Sequence, residues 1–193
     1  MSPFTHLLVG WEIGCRAGLS VRDRNLVVFA GIAPDIDGLG LLVDAGAHAL
    51  GHPSPGLYAM LHHRLFHGLL GALLVFGLAY LLGEKKWLAA VLAAVAFHLH
   101  LVCDVLGSGG PRPEDIWPIC YLAPFSEHLT IRWPGQWLLN GWQNLVFTAV
   151  LLAFACRRAV RDGVSPFILI GKNADAAAVS LARRCRDALR RKV

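Results

Sequence analysis

The stretch WLAAVLAAVAFHLHLVCDVL, Trp87 to Leu106, decides how the whole chain is read. It holds 20 residues and is apolar except for His98, His100 and Asp104. At about 1.5 Å per residue, a helix of that length spans about 30 Å, the thickness of the hydrocarbon core of a bilayer. His100 and Asp104 are four residues apart and therefore share a helix face. Ionisable groups at membrane depth are costly and mark function. The segment thus predicts both a membrane helix and a site.

The composition agrees with this reading. Of 193 residues, 55% are hydrophobic and only 16% are charged, where an ordinary soluble domain carries about a quarter. The mean hydropathy is +0.52. Disordered, collagen-like and nucleic-acid-binding chains are excluded on these grounds, and no nucleic-acid partner is expected. The length allows one domain with a small appendage. Five cysteines, widely spaced and without a CxxC pair, argue against a disulfide framework and against a thiolate zinc site. Cys15 follows Glu12-Ile13-Gly14 with no basic segment before it, so no cleaved signal peptide is expected.

The net charge of +5 is unevenly placed. Residues 157–193 hold ten basic and three acidic residues, whereas residues 1–156 hold eight and ten. A basic segment directly after an apolar helix reads as a cytoplasmic membrane-surface flank. The expected division is a membrane-embedded helical metal-site domain over 1–156 and a basic cytoplasmic tail over 157–193.

Outward from the central segment, two further long apolar helices are expected. One runs from Leu57 to Gly83 and includes the histidine-rich LHHRLFHG; the other runs from Leu138 to Cys156. Ser2-Pro3 reads as a helix start, with the helix continuing to about Leu19 and pairing Glu12 with Arg16. Asp23 is expected to cap a shorter helix that ends before Pro34. The loop between the last two spans carries Trp117, Trp133 and Trp137, residues that suit headgroup depth. The fold class expected is all-α: a polytopic membrane helical bundle with a short N-terminal hairpin and a C-terminal amphipathic helix. In that last helix Ala178, Leu181, Ala182, Cys185 and Leu189 recur at helical spacing.

Orientation follows from Lys and Arg. Lys85 and Lys86 lie between two spans, and Arg157, Arg158 and Arg161 follow the last, so both points belong in the cytoplasm. His63 and His67, His100 and Asp104, His6, and Asp35 with Asp37 then all arrive at the opposite face. Four imidazoles and three carboxylates there could ligate one or two divalent ions, with water completing the shell. Imidazole plus carboxylate without thiolate suits zinc, manganese or iron. His63 and His67, four apart, are expected on one helix face, and the irregular backbone after Pro34 is expected to aim Asp35 and Asp37 at one point.

Phe4-Thr5-His6, Pro34-Asp35-Ile36-Asp37, the HHRLFH stretch at 62–67, His100-Leu-Val-Cys-Asp104, and Trp117-Pro118 through Pro124-Phe125-Ser126 occur in that order. In this the sequence resembles a bacterial family of inner-membrane-associated metal-dependent hydrolases, itself distantly similar to zinc-dependent phospholipases C. The resemblance covers most of residues 4–145. It implies a metal site at His6, Asp35, Asp37, His63 or His62, His67, His100 and Asp104, with zinc as the expected cofactor. The Thr and Ser that commonly follow the family's His-Arg pair are absent here.

The activity expected is hydrolysis of an ester or phosphoester, with a membrane lipid or lipid-linked substrate suggested by a site at headgroup depth. Asp37 and Arg64 are the expected catalytic residues. The planar fork of Arg64 matches a phosphate bidentately. The competing expectation is a non-catalytic membrane protein in which a metal or polar network ties helices together.

Overall fold

The computed structural model describes residues 1–15, 18–112 and 114–191. The order of elements is α1 (Pro3–Gly14), α2 (Val21–Ala30), a 3₁₀ turn (Ala33–Leu39), α3 (Gly40–Ala49), α4 (Leu57–Leu61), α5 (Leu69–Leu82) and α6 (Lys86–Gly107). After these come a two-residue ribbon of β1 (Ile119–Cys120) and β2 (Thr130–Ile131), then α7 (Trp142–Asp162), a 3₁₀ turn (Pro166–Leu169) and α8 (Lys172–Arg190). The ribbon is antiparallel, with Ile119 opposite Ile131 and Cys120 opposite Thr130.

The central segment forms α6, at 22 residues the longest helix. Its two faces differ as a lipid-facing helix requires. Ala89, Ala93, Ala96, Phe97, His100 and Asp104 are buried, whereas Leu88, Val91, Val95, Leu99 and Val102 are exposed. Small residues inward let neighbouring backbones approach, and the large aliphatic ones face outward where a bilayer solvates them. α7 follows the same rule, with Ala155 and Ala159 buried and Leu145, Val146, Val150 and Phe154 outside. By length and composition α6 and α7 can each cross a membrane, and the bent pair of α2 with the 33–49 segment makes a third span if counted as one.

Three expectations change. The continuous helix from Leu57 to Gly83 is broken: α4 ends at Leu61, residues 62–68 are irregular, and α5 has 14 residues. At about 21 Å, α5 is shorter than the hydrocarbon core. The first helix stops at Gly14, not near Leu19. The pairing of Glu12 with Arg16 lies outside the described residues; Glu12 accepts a hydrogen bond from Arg158 Nε at 3.0 Å.

Asp23 also differs from expectation. Ser20 is the N-cap of α2, its hydroxyl accepting from the Asp23 N–H at 3.2 Å. The buried carboxylate of Asp23 leaves its own helix and accepts from the backbone N–H groups of Glu84 (2.7 Å) and Lys85 (3.0 Å). It thereby satisfies donors at the start of α6, which a helix terminus otherwise leaves open. At the N-terminus the structure follows the sequence: Ser2 Oγ accepts from Thr5 N–H, with Pro3 in the first turn.

α1 crosses α2 closely at Gly10, where a Cβ would stand 2.9 Å from the Val28 carbonyl oxygen. The loop after α6 folds back onto that helix's end. Trp137 N–H donates to the Leu106 carbonyl at 2.7 Å, and the Gln136 amide donates to the Asp104 carbonyl at 2.8 Å. The start of α1, the 3₁₀ turn at 33–39, the 62–68 segment and the end of α6 meet around one point.

Candidate metal centre

Asp104 lies one turn from the end of α6, buried, at the middle of that point. Three imidazoles approach its carboxylate: His100 Nε2 at 2.9 Å, His6 Nε2 at 3.1 Å and His67 Nε2 at 3.3 Å. His63 Nε2 is 3.9 Å away. The Met1 nitrogen also bonds Asp104, and donates to Ser108 Oγ at 2.8 Å. The His6 and His100 rings are stacked with centroids 3.6 Å apart.

The tautomers follow from the partners. His100 Nδ1 lies 2.8 Å from the Gly31 carbonyl oxygen, which can only accept, so Nδ1 carries the hydrogen. His67 Nδ1 lies 2.9 Å from Asp37 Oδ2, and His62 Nδ1 lies 2.8 Å from Asp37 Oδ1. With an ionised carboxylate as partner, those nitrogens donate as well. When neutral, each ring therefore turns a lone pair at Nε2 towards its surroundings. The lone pairs of His67 and His100 are 3.3 Å apart beside the Asp104 oxygens. Acceptors gathered in this way repel unless a cation or a proton lies among them.

Burial and hydrogen bonding compete at His67. Burial alone lowers its pKa, but the hydrogen bonds to Asp104 and Asp37 outweigh this and push it up to about 9. His63 has no such partner, and burial followed by the charge of His67 pushes it down to about 3. Several buried acceptors and donors lack a hydrogen-bond partner among the described residues: both ring nitrogens of His6, His63 Nδ1 and Asp35 Oδ2. His6 Nε2 is near Asp104 but misaligned for a hydrogen bond. Orphaned imidazole nitrogens in the protein interior, set among carboxylates, are the donor set a divalent ion takes.

Among the described residues, two groups have ligand atoms mutually close enough to hold an ion. One is His6, Asp35, His100 and Asp104; the other is His62, His63 and His67, with all ligand atoms in a group within 4.8 Å of one another. Asp37 belongs to neither. Its two oxygens are occupied by His62, His67 and the Phe66 N–H at 3.1 Å. Asp35 instead faces His100, at 3.7 Å. The expectation that both carboxylates aim at one point therefore fails for a geometric reason. In a 3₁₀ turn of three residues per turn, positions two apart diverge by about 120°.

His63 and His67 do not share a helix face either. His63 has a left-handed backbone, φ 64°, and the segment is irregular. The backbone groups freed by the break are satisfied across the site. Cys120 N–H donates to the His63 carbonyl (3.3 Å), and Leu69 N–H donates to the Tyr121 carbonyl (2.7 Å). Gly68 presses against the Tyr121 backbone where no side chain fits. Both rings still converge, with centroids 4.5 Å apart, and His62 joins them. His98, on the exposed face of α6, bonds Tyr121 and takes no part.

Arg64 differs from expectation: it is exposed, pairs with Glu127, and does not line the cavity beside the cluster. That cavity measures about 1170 Å³ and is walled by Asp35, Asp104, His62 and His63 at one end. Leu39, Leu41, Leu42 and Leu139 supply apolar wall, and Tyr58 and Trp117 stand by the histidines. Tyr58 stacks on His62 at 4.7 Å, and Trp117 lies 5.4 Å from His63. The sequence suggests headgroup depth for Trp117 and no role for Tyr58, and does not place either beside the histidines. An interfacial Trp next to a Pro was the one available hint.

These features define a helical membrane protein with a buried histidine–carboxylate cluster that could hold a metal ion. The chain belongs to the YdjM inner membrane protein family, whose model matches residues 1–179, through every residue of the cluster and into α8. No curated protein and no solved structure is matched by the chain.

Proposed function

We propose that this inner membrane protein is a multi-pass, metal-dependent hydrolase of an ester or phosphoester, acting on a membrane lipid or lipid-linked substrate. The observation that carries the reading is the convergence of the His67 and His100 lone pairs on Asp104 at the wall of an open cavity. His6, Asp35, His100 and Asp104 would hold one divalent ion, zinc by ligand type, and His62, His63 and His67 a second. A bound divalent ion supplies Lewis acidity, making water nucleophilic at neutral pH and polarising a carbonyl or phosphoryl oxygen.

The chain's own residues do the rest. Asp37 fixes two imidazoles in the tautomer that presents Nε2, and the Gly31 carbonyl does so for His100. The apolar wall from Leu39 to Leu42 and at Leu139 accommodates a hydrocarbon chain while the reacting group meets the cluster. Arg64, paired with Glu127 outside the cavity, has no part in this reading. The positive-inside rule places Lys85 and the C-terminal segment in the cytoplasm and the cluster at the other face.

A purely structural network is the second reading, and the cavity weighs against it, because a structural site is closed. The test is metal analysis of purified protein together with turnover of ester and phosphoester substrates in lipid nanodiscs. Bound metal with metal-dependent turnover is expected. Bound metal without turnover of either class would leave the network reading in its place.

A further inference from the structure

α8 packs one face against the end of α7 and leaves another uncovered. The packed face is fixed by Asp175, whose carboxylate accepts from the Ser165 N–H at 2.7 Å and from its hydroxyl at 2.6 Å, and by buried Val179. Arg183 reaches back over Gly163, the left-handed residue that ends α7. α8 is thus held at the level where α7 ends in Arg157, Arg158 and Arg161.

Leu181, Cys185 and Leu189 are four residues apart and form one stripe along the uncovered face. All three are exposed, Leu181 at 56% and Leu189 at 68%. Phe167 and Ile170, from the preceding turn, add exposed apolar surface. Arg183, Arg184, Arg190 and Arg191 are exposed and make no ion pair among the described residues. The acidic residues of the helix are otherwise engaged, Asp175 with Ser165 and Asp187 with Arg186.

We propose that the 3₁₀ turn at 166–169 and α8 together, residues 166–191, form a docking surface for anionic phospholipid, with the Leu181–Cys185–Leu189 stripe sunk at headgroup depth and the arginines on the phosphates. Charge complementarity selects this occupant. The free guanidinium groups of Arg184, Arg190 and Arg191 on the helix that carries an aliphatic stripe, at the end of a membrane span, match a surface that is apolar below and negative above. A soluble protein or a second copy of the chain would offer no reason for both features at that level.

The experiment is amide hydrogen exchange of residues 172–190 in the full-length protein, in nanodiscs of zwitterionic lipid alone or with about a third phosphatidylglycerol. Exchange is expected to slow roughly tenfold or more in the anionic discs, as several arginines at a charged surface imply. High salt should abolish the difference, since the Debye length falls from about 10 Å at 0.1 M to about 3 Å at 1 M. Arg184→Glu with Arg191→Glu should do the same at low salt. Equal exchange in the two kinds of disc would overturn the proposal. So would equal protection in both, because the arginines would then not be what holds the helix there.

Discussion

Asp37→Asn separates a residue that positions ligands from one that binds the ion. The substitution keeps the shape of the side chain but replaces one acceptor oxygen by a donor NH₂. Asp37 now serves two imidazoles, His62 through Oδ1 at 2.8 Å and His67 through Oδ2 at 2.9 Å. An amide can accept from only one of them. The other ring meets a donor, presents its Nδ1 lone pair to it, and moves its hydrogen to Nε2, which withdraws that nitrogen from the cluster. Loss of such an orienting partner costs about 10–100-fold in metal affinity, or about 1.4–2.8 kcal/mol at about 1.4 kcal/mol per tenfold. Zinc affinity would be measured by chelator competition on purified protein, with thermal unfolding to show that the variant is folded. A weakened but saturable site is expected. If Asp37→Asn removes metal as completely as Asp104→Asn, Asp37 is itself a ligand. If affinity is unchanged, the carboxylate does not set the tautomers and the assignment of lone pairs fails.

Asp35→Asn combined with Asp104→Asn should remove most bound metal, read by elemental analysis, because these are the two carboxylates of the larger ligand group. Zinc binding at pH 7 should release about one proton from His67, whose metal-free pKa of about 9 keeps it protonated there; affinity then rises with pH up to about 9, and the slope of calorimetric enthalpy against buffer ionisation enthalpy measures the release. Gly71→Val should weaken the packing of α5 on α6, since a Cβ at Gly71 would press on the Phe66 carbonyl oxygen and stand 2.9 Å from the Phe97 ring; overpacking of this kind costs about 1–3 kcal/mol or more, seen as a lowered unfolding midpoint. Single cysteines placed at Lys85 or at Glu114, with the five native cysteines replaced, should react with an impermeant thiol reagent from opposite sides of the membrane, and reaction from one side would refute the orientation.

The sequence was most legible where one rule acted alone. The apolar run from Trp87 to Leu106 became α6 with little change, because a membrane helix satisfies its own backbone and needs only length and hydrophobicity. The partners His100 and Asp104 could be placed on one face by spacing, and they are 2.9 Å apart. The Leu57–Gly83 run met the same composition rule yet broke. Its backbone at 63–69 is claimed by groups far away in sequence: Asp37 takes the Phe66 N–H, Cys120 donates to the His63 carbonyl, and the Tyr121 carbonyl takes the Leu69 N–H. Hydropathy does not register such competition. Asp23 was misread for the same reason, since a cap residue near a helix start looks identical whether it serves its own helix or the next one.

The break at 62–68 is also what assembles the site. On a continuous helix, His62 and His63 would point about 100° apart, and only His63 would share a face with His67. The left-handed turn at His63 and the irregular backbone after it allow all three rings to converge, with His62 and His67 steadied by the single carboxylate of Asp37. His62 and His63, alternatives at the level of sequence, both lie in a group whose ligand atoms could hold an ion. A helix register forces a choice between neighbours, whereas an irregular segment held by Asp37, Cys120 and Tyr121 does not. The chain gives up the self-sufficient backbone of a span at this point, and the long-range hydrogen bonds that replace it set His63 and His67 towards Asp104 and hold His62 beside them on Asp37.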